Sequence, residues 1–304
     1  MEDKARAMVL ASFVADSLAL GAHWIYDADE IERRFGRVQN LLKPEKASYH
    51  PTKDLGELTH YGDQALLLLE SVASCSGFDL GHFAGAWRAL FDNYGGYIDK
   101  ATKGTLKGFA EGNPPTESGS ASRDLAGAAR IAPIVYRYRD NPEELVIHAR
   151  AQTEMTHNNP MVVASADFFA RVTHRVLQGS NPTTAITETT QESFAETPFA
   201  DWATNGLGSV SAGSREDIAD FGQSCNTRGA FPAVVHLIGK YEGDLKEALI
   251  ENVMAGGDSA SRGMVVGMVL GAHLGLDAIP SEWLSGLKGY QHILQLLERI
   301  DGER

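Results

Sequence analysis

The sequence predicts an all-α protein, on three observations. Its long segments lack the apolar–polar alternation of half-buried strands. Small residues are plentiful inside its apolar runs, as close helix packing requires. Three pairs, Asn141-Pro142, Asn159-Pro160 and Asn181-Pro182, place proline where a helix can begin.

Taken in order, the first helix runs roughly from Lys4 to Leu20 through the apolar stretch AMVLASFVADSLALGA. Gly62 to Ser74 follows, and its Leu66–Leu69 run is apolar on every side, so it must be buried. Leu80 to Tyr94, Ala101 to Glu111 and the small-residue segment Leu125 to Arg137 come next. Proline-initiated helices are expected over Pro142–Met155 and Pro160–Leu177, then Thr183–Ser193. Thr227–Gly239, Leu245–Met254, Ser259–Leu274 and Tyr290–Ile300 complete the set. Gly112–Arg123 and Pro198–Arg215 are rich in glycine, serine and threonine and are expected to be mobile binding loops. With no repeat and no charged linker, residues 1–304 are expected to form one domain.

Within Ser259–Leu274 and just beyond it, Gly263, Gly267, Gly271 and Gly275 recur every fourth residue. On a helix they make a strip without side chains, where another helix can approach closely. Each interior glycine costs a helix about 1 kcal/mol against alanine, so tight packing must offset the strip.

The formal net charge of −13 leaves no basic footprint and argues against nucleic acid as a partner. Cys75 and Cys225 form neither a CxxC unit nor a disulfide framework, which points to a reduced, cytoplasmic setting. Lys4 and Arg6 ahead of an apolar run superficially resemble a secretory signal. Asp16 inside the run, with Glu2 and Asp3 before it, argues against export. The uncharged stretch from Gly263 to Leu276 is too short to span a membrane. No oligomeric state is legible.

Five segments carry chemistry. In GGDSAS, Asp258 and Ser261 are three residues apart and share a helical face, so their oxygens could meet one hard cation; equally, Asp258 caps the helix or pairs with Arg262. In LTHYGDQALLLLESV, Asp63 stands at a helix start near the core, favoured there by the dipole. In MTHNNP, His157 sits in a turn between two helices, placed to touch a ligand or to cap. The serine-rich loop SGSASRD, with Ser118, Gly119, Ser120, Ser122, Arg123 and Asp124, leads into a helix whose N–H groups could hold phosphate. In DSLALGAHWIYD, His23, Trp24, Tyr26 and Asp27 gather a base and a stacking surface, or simply anchor a helix end.

In this order the segments resemble the ADP-ribosylglycohydrolase superfamily, which includes the dinitrogen-reductase-activating glycohydrolases and the jellyfish J-type crystallins. GGDSASRGMVVGMVLGAHLGLDAIP looks like the family's GGDTDT motif with its small-residue helix and closing IP, while THNNP, ARIAPI and ADSLALGA match further landmarks. The resemblance implies an all-α orthogonal bundle whose cleft holds two magnesium ions on the ribose of ADP-ribose, with an acid assisting water attack at the anomeric carbon.

This chain departs from that pattern at its carboxylates. Ala260 replaces the second aspartate of GGDTDT, and Ser261 its threonine. The stretch His60, Tyr61, Gly62, Asp63 stands where active members carry TDDT, and His23 replaces an acid of the N-terminal motif. What remains implies at most one magnesium, held by Asp63, Asp258 and Ser261. Catalytic roles fall to Asp63, His23 and Asp27, and substrate contacts to the Ser118–Asp124 loop and His157. The expected function is hydrolysis of an N- or O-glycosidic bond of ADP-ribose or a related ribosylated compound. The alternative is a non-catalytic, crystallin-like relative, which the GDQ and GGDSASR forms favour.

Overall fold

The computed structural model describes residues 2–302, and among them there are helices and no strands. The helices are α1 (Glu2–Ala19), α2 (Ala28–Phe35), α3 (His60–Ser74), α4 (Leu80–Asp92), α5 (Lys100–Ala110), α6 (Ala126–Ala129), α7 (Ala132–Arg137), α8 (Pro142–Thr156) and α9 (Pro160–Leu177). They continue as α10 (Pro182–Ser193), α11 (Pro198–Gly208), α12 (Ser214–Phe221), α13 (Thr227–Lys240), α14 (Leu245–Met254), α15 (Ser259–Leu274), α16 (Ser281–Gly286) and α17 (Tyr290–Gly302). Most starts are capped as their sequences demand. Thr59, Asp79, Asp99, Asn141, Asn159, Asn226, Asp244 and Asp258 each accept a hydrogen bond from a first-turn N–H.

The centre of the molecule is the pair α1 and α15, the most extensively packed helices of the fold. α15 is buried from Ser259 to Ala272, and α1 nearly all round from Ala5 onward, so neither is amphipathic. Gly263, Gly267 and Gly271 face α1, where a Cβ on Gly267 would lie 2.4 Å from the Ala11 carbonyl oxygen and one on Gly271 2.7 Å from that of Ala7. Gly275 is not part of the strip: it is the C-cap of α15 at φ +83° and ψ −174°, a backbone region open essentially only to glycine. No helix among the described residues is long and apolar enough to cross a membrane.

Four elements differ from the sequence expectation. Leu125–Arg137 is two helices, broken at Arg130 and Ile131 ahead of Pro133, which lies in the first turn of α7 and has no N–H to continue the earlier ladder. Pro198–Arg215 is helical over α11 and enters α12. Its Phe199, Ala203 and Gly206 form a buried stripe that the small polar residues around it obscured. α2 and α16 were not expected. Gly112–Arg123 carries no helix and stays a loop.

Candidate active site

The GGD turn is fixed by backbone. Gly256 and Gly257 adopt φ +72° and +68°, and a Cβ on Gly257 would lie 2.1 Å from the Gln223 carbonyl oxygen. The turn interlocks with the end of the first helical segment: Trp24 N–H donates to Gly257 O (2.9 Å) and Gly257 N–H to Ile25 O (2.7 Å). Arg262, wholly buried, ties the turn down rather than facing a ligand. It donates to the carbonyl oxygens of Gly256 (2.6 Å), Gln223 (3.2 Å) and Asn252 (3.4 Å) and to Asn252 Oδ1 (3.1 Å). Burial brings its pKa down to about 10, with Asp258 opposing.

Asp258, thus held, uses both oxygens inside the protein. Ser261 donates its hydroxyl to Oδ2 (2.6 Å), and Oδ1 lies 2.9 Å from His23 Nε2. Burial opposes its ionisation, but His23, Ser261 and Arg262 outweigh that and keep the carboxyl below its ordinary range. A carboxylate here makes His23 Nε2 the donor, so neutral His23 accepts at Nδ1 from His50 Nε2, 2.9 Å away. His50 Nδ1 then has no partner. Neither does either ring nitrogen of His60, whose Nε2 lies 3.3 Å from Asp99 Oδ2, close enough for attraction but without hydrogen-bond alignment. All three histidines are buried, and His50 is pushed down to about 2 by desolvation and by His23 and His60.

Asp16 and Asp63 lie beside this centre. Asp16 accepts from Thr59 N–H (2.7 Å) and the Thr59 hydroxyl (2.5 Å). A Cβ on Gly62 would lie 2.3 Å from its Oδ2, which explains why no acid occupies that position. Asp63 accepts from Lys53 Nζ (2.5 Å) and from the Tyr94 hydroxyl. Burial raises its pKa, with Lys53 opposing.

Burial also dominates Asp16, lifting its pKa from 3.8 to about 6. The native state therefore holds a proton that the unfolded chain has lost, and stability falls as pH rises through that window. Above it, the buried charge costs on the order of 3 kcal/mol. Asp16→Asn is expected to raise stability at pH 7, and the gain should vanish near pH 4. Denaturant unfolding at both values checks this; an equal difference at the two would refute it.

In front of the histidines opens a cleft of about 300 Å³, lined by Trp24, Tyr26, Tyr49, Tyr61, Tyr97, Asp99, Lys100, Asp124 and Cys225. Trp24 takes a left-handed φ of +66°, rare for a bulky residue. Its ring stacks on His23 at 4.4 Å and meets Tyr49 and Tyr97 edge-on. Asp99, the cap of α5, is buried, yet His60 and the Thr102 N–H overcome desolvation and keep it ionised. Asp124 pairs with Asn226 in a short antiparallel bridge. On the other side of that bridge Arg123, Asn159, Asn226 and Arg228 line a second groove of about 380 Å³.

The expected site residues thus separate. His23, Asp258 and Ser261 come together, Asp124 enters the cleft, and Arg123 enters the groove beside it. Asp27 is exposed and caps α2 through the N–H groups of Asp29 and Glu30. Ser118 bonds the carbonyl oxygens of Asn113 and Pro114, Ser120 that of Thr156, and Ser122 the Asp124 N–H, so these three shape the loop itself. Gly119 is pressed on the Glu154 carbonyl, where a Cβ would lie at 1.9 Å. His157 is buried beside Gly127 and bonded to Thr156 Oγ1 (3.0 Å), its pKa lowered to about 3 by desolvation and Arg130. Sequence reasoning missed His50, Asp99, Tyr49, Tyr97 and Lys53. The aspartate directly ahead of the expected helix Ala101–Glu111 was the one signal that could have found Asp99.

The arrangement does not suit magnesium shared by Asp63, Asp258 and Ser261. Lys53 already neutralises Asp63, and His23 and Ser261 occupy Asp258. Among the described residues one group of three metal-ligand side chains converges, His23, His50 and His60, and neither carboxylate belongs to it. Magnesium prefers oxygen ligands, whereas imidazoles suit later transition metals.

A family model described as ADP-ribosylglycohydrolase matches residues 1–304. Crystallin J1A of Tripedalia cystophora is 24% identical over 319 aligned positions, covering 98% of this chain and 96% of its own. The ADP-ribosyl-[dinitrogen reductase] glycohydrolase of Rhodospirillum rubrum is 26% identical over 185 positions, covering 61% of this chain and 58% of its own. A solved structure described as an ADP-ribosylglycohydrolase-related protein complex superposes with a TM-score of 0.77 at 22% identity, over 99% of this chain and 98% of that one, and so shares the fold.

Proposed function

This chain belongs to the ADP-ribosylglycohydrolase family, and on that premise we propose that, acting as one domain, it hydrolyses a glycosidic bond of ADP-ribose or a related ribosylated compound in the aromatic cleft. The observation that carries the reading is the presence of Asp99 and Asp124 in one cleft walled by Trp24, Tyr49, Tyr61 and Tyr97. Aromatic faces stack on a nucleobase or ribose, and carboxylates stabilise an oxocarbenium-like transition state and handle the proton of the attacking water. The adjoining groove supplies Arg123 and Arg228, neither of which pairs with a carboxylate among the described residues, for the diphosphate. Asp258 holds His23 behind Trp24 and so positions the stacking wall. Asp63, tied to Lys53 and Tyr94 and outside the lining of the cleft, takes no part in attack on the substrate.

Release of ADP-ribose from ADP-ribosylated peptides and small ribosides, followed by mass spectrometry, tests the proposal. Asp99→Asn and Asp124→Asn are each expected to lower turnover by about 100-fold or more, the scale of acid–base and electrostatic contributions. Unchanged turnover in both variants would sink the assignment.

A second reading is a binding or structural protein without catalysis. It is favoured by the carboxylates Asp63 and Asp258, the first paired with Lys53 and the second already hydrogen-bonded by His23 and Ser261, and by the crystallins among the relatives. Calorimetry with ADP-ribose, with and without magnesium, read together with turnover distinguishes them: a structural protein gives no heat of binding, a binding protein gives heat without turnover, and a hydrolase gives both.

A further inference from the structure

We propose that His23, His50 and His60 form a binding site for a late first-row transition-metal ion, with zinc the best match to the ligand set. The three come from separate parts of the chain: the turn after α1, the long connection between α2 and α3, and the first residue of α3. Their ligand nitrogens nevertheless lie within 4.8 Å of one another. His23, His50 and His60 are 2%, 0% and 1% exposed, so no solvent satisfies them.

The hydrogen bonding around the three rings is incomplete, and an ion would give His60 a partner and replace the His23–His50 contact, His50 ligating through Nε2 and carrying its proton on Nδ1. His50 Nδ1 and both nitrogens of His60 have no partner in the core. A buried polar atom left bare is costly, and native proteins seldom keep several together without a ligand. One cation would occupy the lone pairs of all three rings.

The surroundings match those of metal-bound histidines. Such a ring normally directs its second nitrogen to a carboxylate, which fixes its orientation and raises its basicity. His23 directs Nε2 to Asp258 at 2.9 Å, and His60 faces Asp99 at 3.3 Å. Asp258 is itself oriented by Ser261 and by the GGD turn. Two carboxylates in the outer ring balance the charge of a divalent ion held by three neutral imidazoles. Zinc–nitrogen bonds of roughly 2.0–2.1 Å in a tetrahedral array separate the nitrogens by roughly 3.3 Å. The 2.9 Å His23–His50 pair therefore opens by a few tenths of an ångström on binding.

The full-length protein, stripped with a chelator and dialysed, is titrated with zinc chloride by calorimetry and with cobalt chloride by visible spectroscopy. One ion per chain is expected, with cobalt bands of a low-symmetry nitrogen-rich site that zinc displaces and excess magnesium does not. His50→Ala and His60→Ala should each weaken binding by about 100-fold or more, and Asp258→Asn by about 10- to 100-fold through loss of orientation. The exposed His292→Gln is the control that keeps full binding. Absence of cobalt bands in the wild-type protein, which needs no variant to fold, overturns the proposal, as does binding that survives both histidine substitutions.

The inference is independent of the hydrolase reading. A protein that binds zinc here yet releases no ADP-ribose overturns only the hydrolase reading. One that hydrolyses and shows no cobalt bands overturns only this inference.

Discussion

Gly267→Ala is expected to destabilise the protein by about 2 kcal/mol or more, although the same change in an isolated helix would stabilise it by about 1 kcal/mol. The reversal comes from packing. The added methyl would stand 2.4 Å from the oxygen and 2.8 Å from the carbon of the Ala11 carbonyl. Neither atom belongs to a side chain that can rotate away, so α1 and α15 must separate along the most extensive helix contact in the molecule. Gly275→Ala, at the C-cap, meets nothing nearer than Lys4 Cγ at 3.9 Å, and its cost, on the order of 1–3 kcal/mol, comes from the backbone conformation alone. Denaturant unfolding of the two variants compares them directly. A more stable Gly267→Ala would show that the helices are not in backbone contact there.

Arg262→Met is expected to cost about 3–5 kcal/mol, the scale for removing one partner from a buried charged network. The substitution keeps much of the side-chain volume but leaves the carbonyl oxygens of Gly256, Gln223 and Asn252, together with Asn252 Oδ1, short of a donor. It also removes a cation that helps to hold Asp258 ionised. Arg262→Lys is expected to recover little of the loss, because one ammonium cannot match the forked geometry that serves four acceptors. Unfolding midpoints and slopes for the three proteins are the measurement. A lysine variant as stable as the wild type would reduce the arginine's role to its charge alone.

Both predictions concern the segment richest in information, and they show where sequence reading succeeds. Gly263, Gly267 and Gly271 announce a close helix contact because a strip of glycine in a helix has no local justification. The capping roles of Asp258, Asn141 and Asn159 follow equally from sequence, since a helix end leaves N–H groups that the adjacent side chain must satisfy. The break between α6 and α7 was less legible, because Pro133 sits in the first turn of a helix, where proline is also tolerated. α11 was hidden by the composition of the whole stretch Pro198–Arg215, whose glycine, threonine and serine suggest a loop, and only burial of Phe199 and Ala203 overrides them.

The candidate site divides along the same line. Asp258 and His23 stand in motifs that mark themselves, but nothing in the sequence says that they touch across 235 positions. Asp27, a few residues beyond His23, looked equally suited to chemistry and turned out to cap an exposed helix, because side-chain direction depends on the turn between them. His50 lies in a connection without periodicity, and Lys53 close by reaches Asp63 only through the path that connection takes.

By itself the sequence determined the helical class, many of the capped helix starts and the glycine strip of α15, because each of these depends on residues near one another along the chain, whereas the choice of α1 as the helix packed on that strip was left to the tertiary structure. Only the tertiary structure decided that Asp63 is paired with Lys53, that Asp99 and Asp124 share an aromatic cleft, and that three histidines converge behind Trp24. Those outcomes depend on how segments dozens to hundreds of residues apart are brought together when the core excludes water, and local propensity carries no record of that distance.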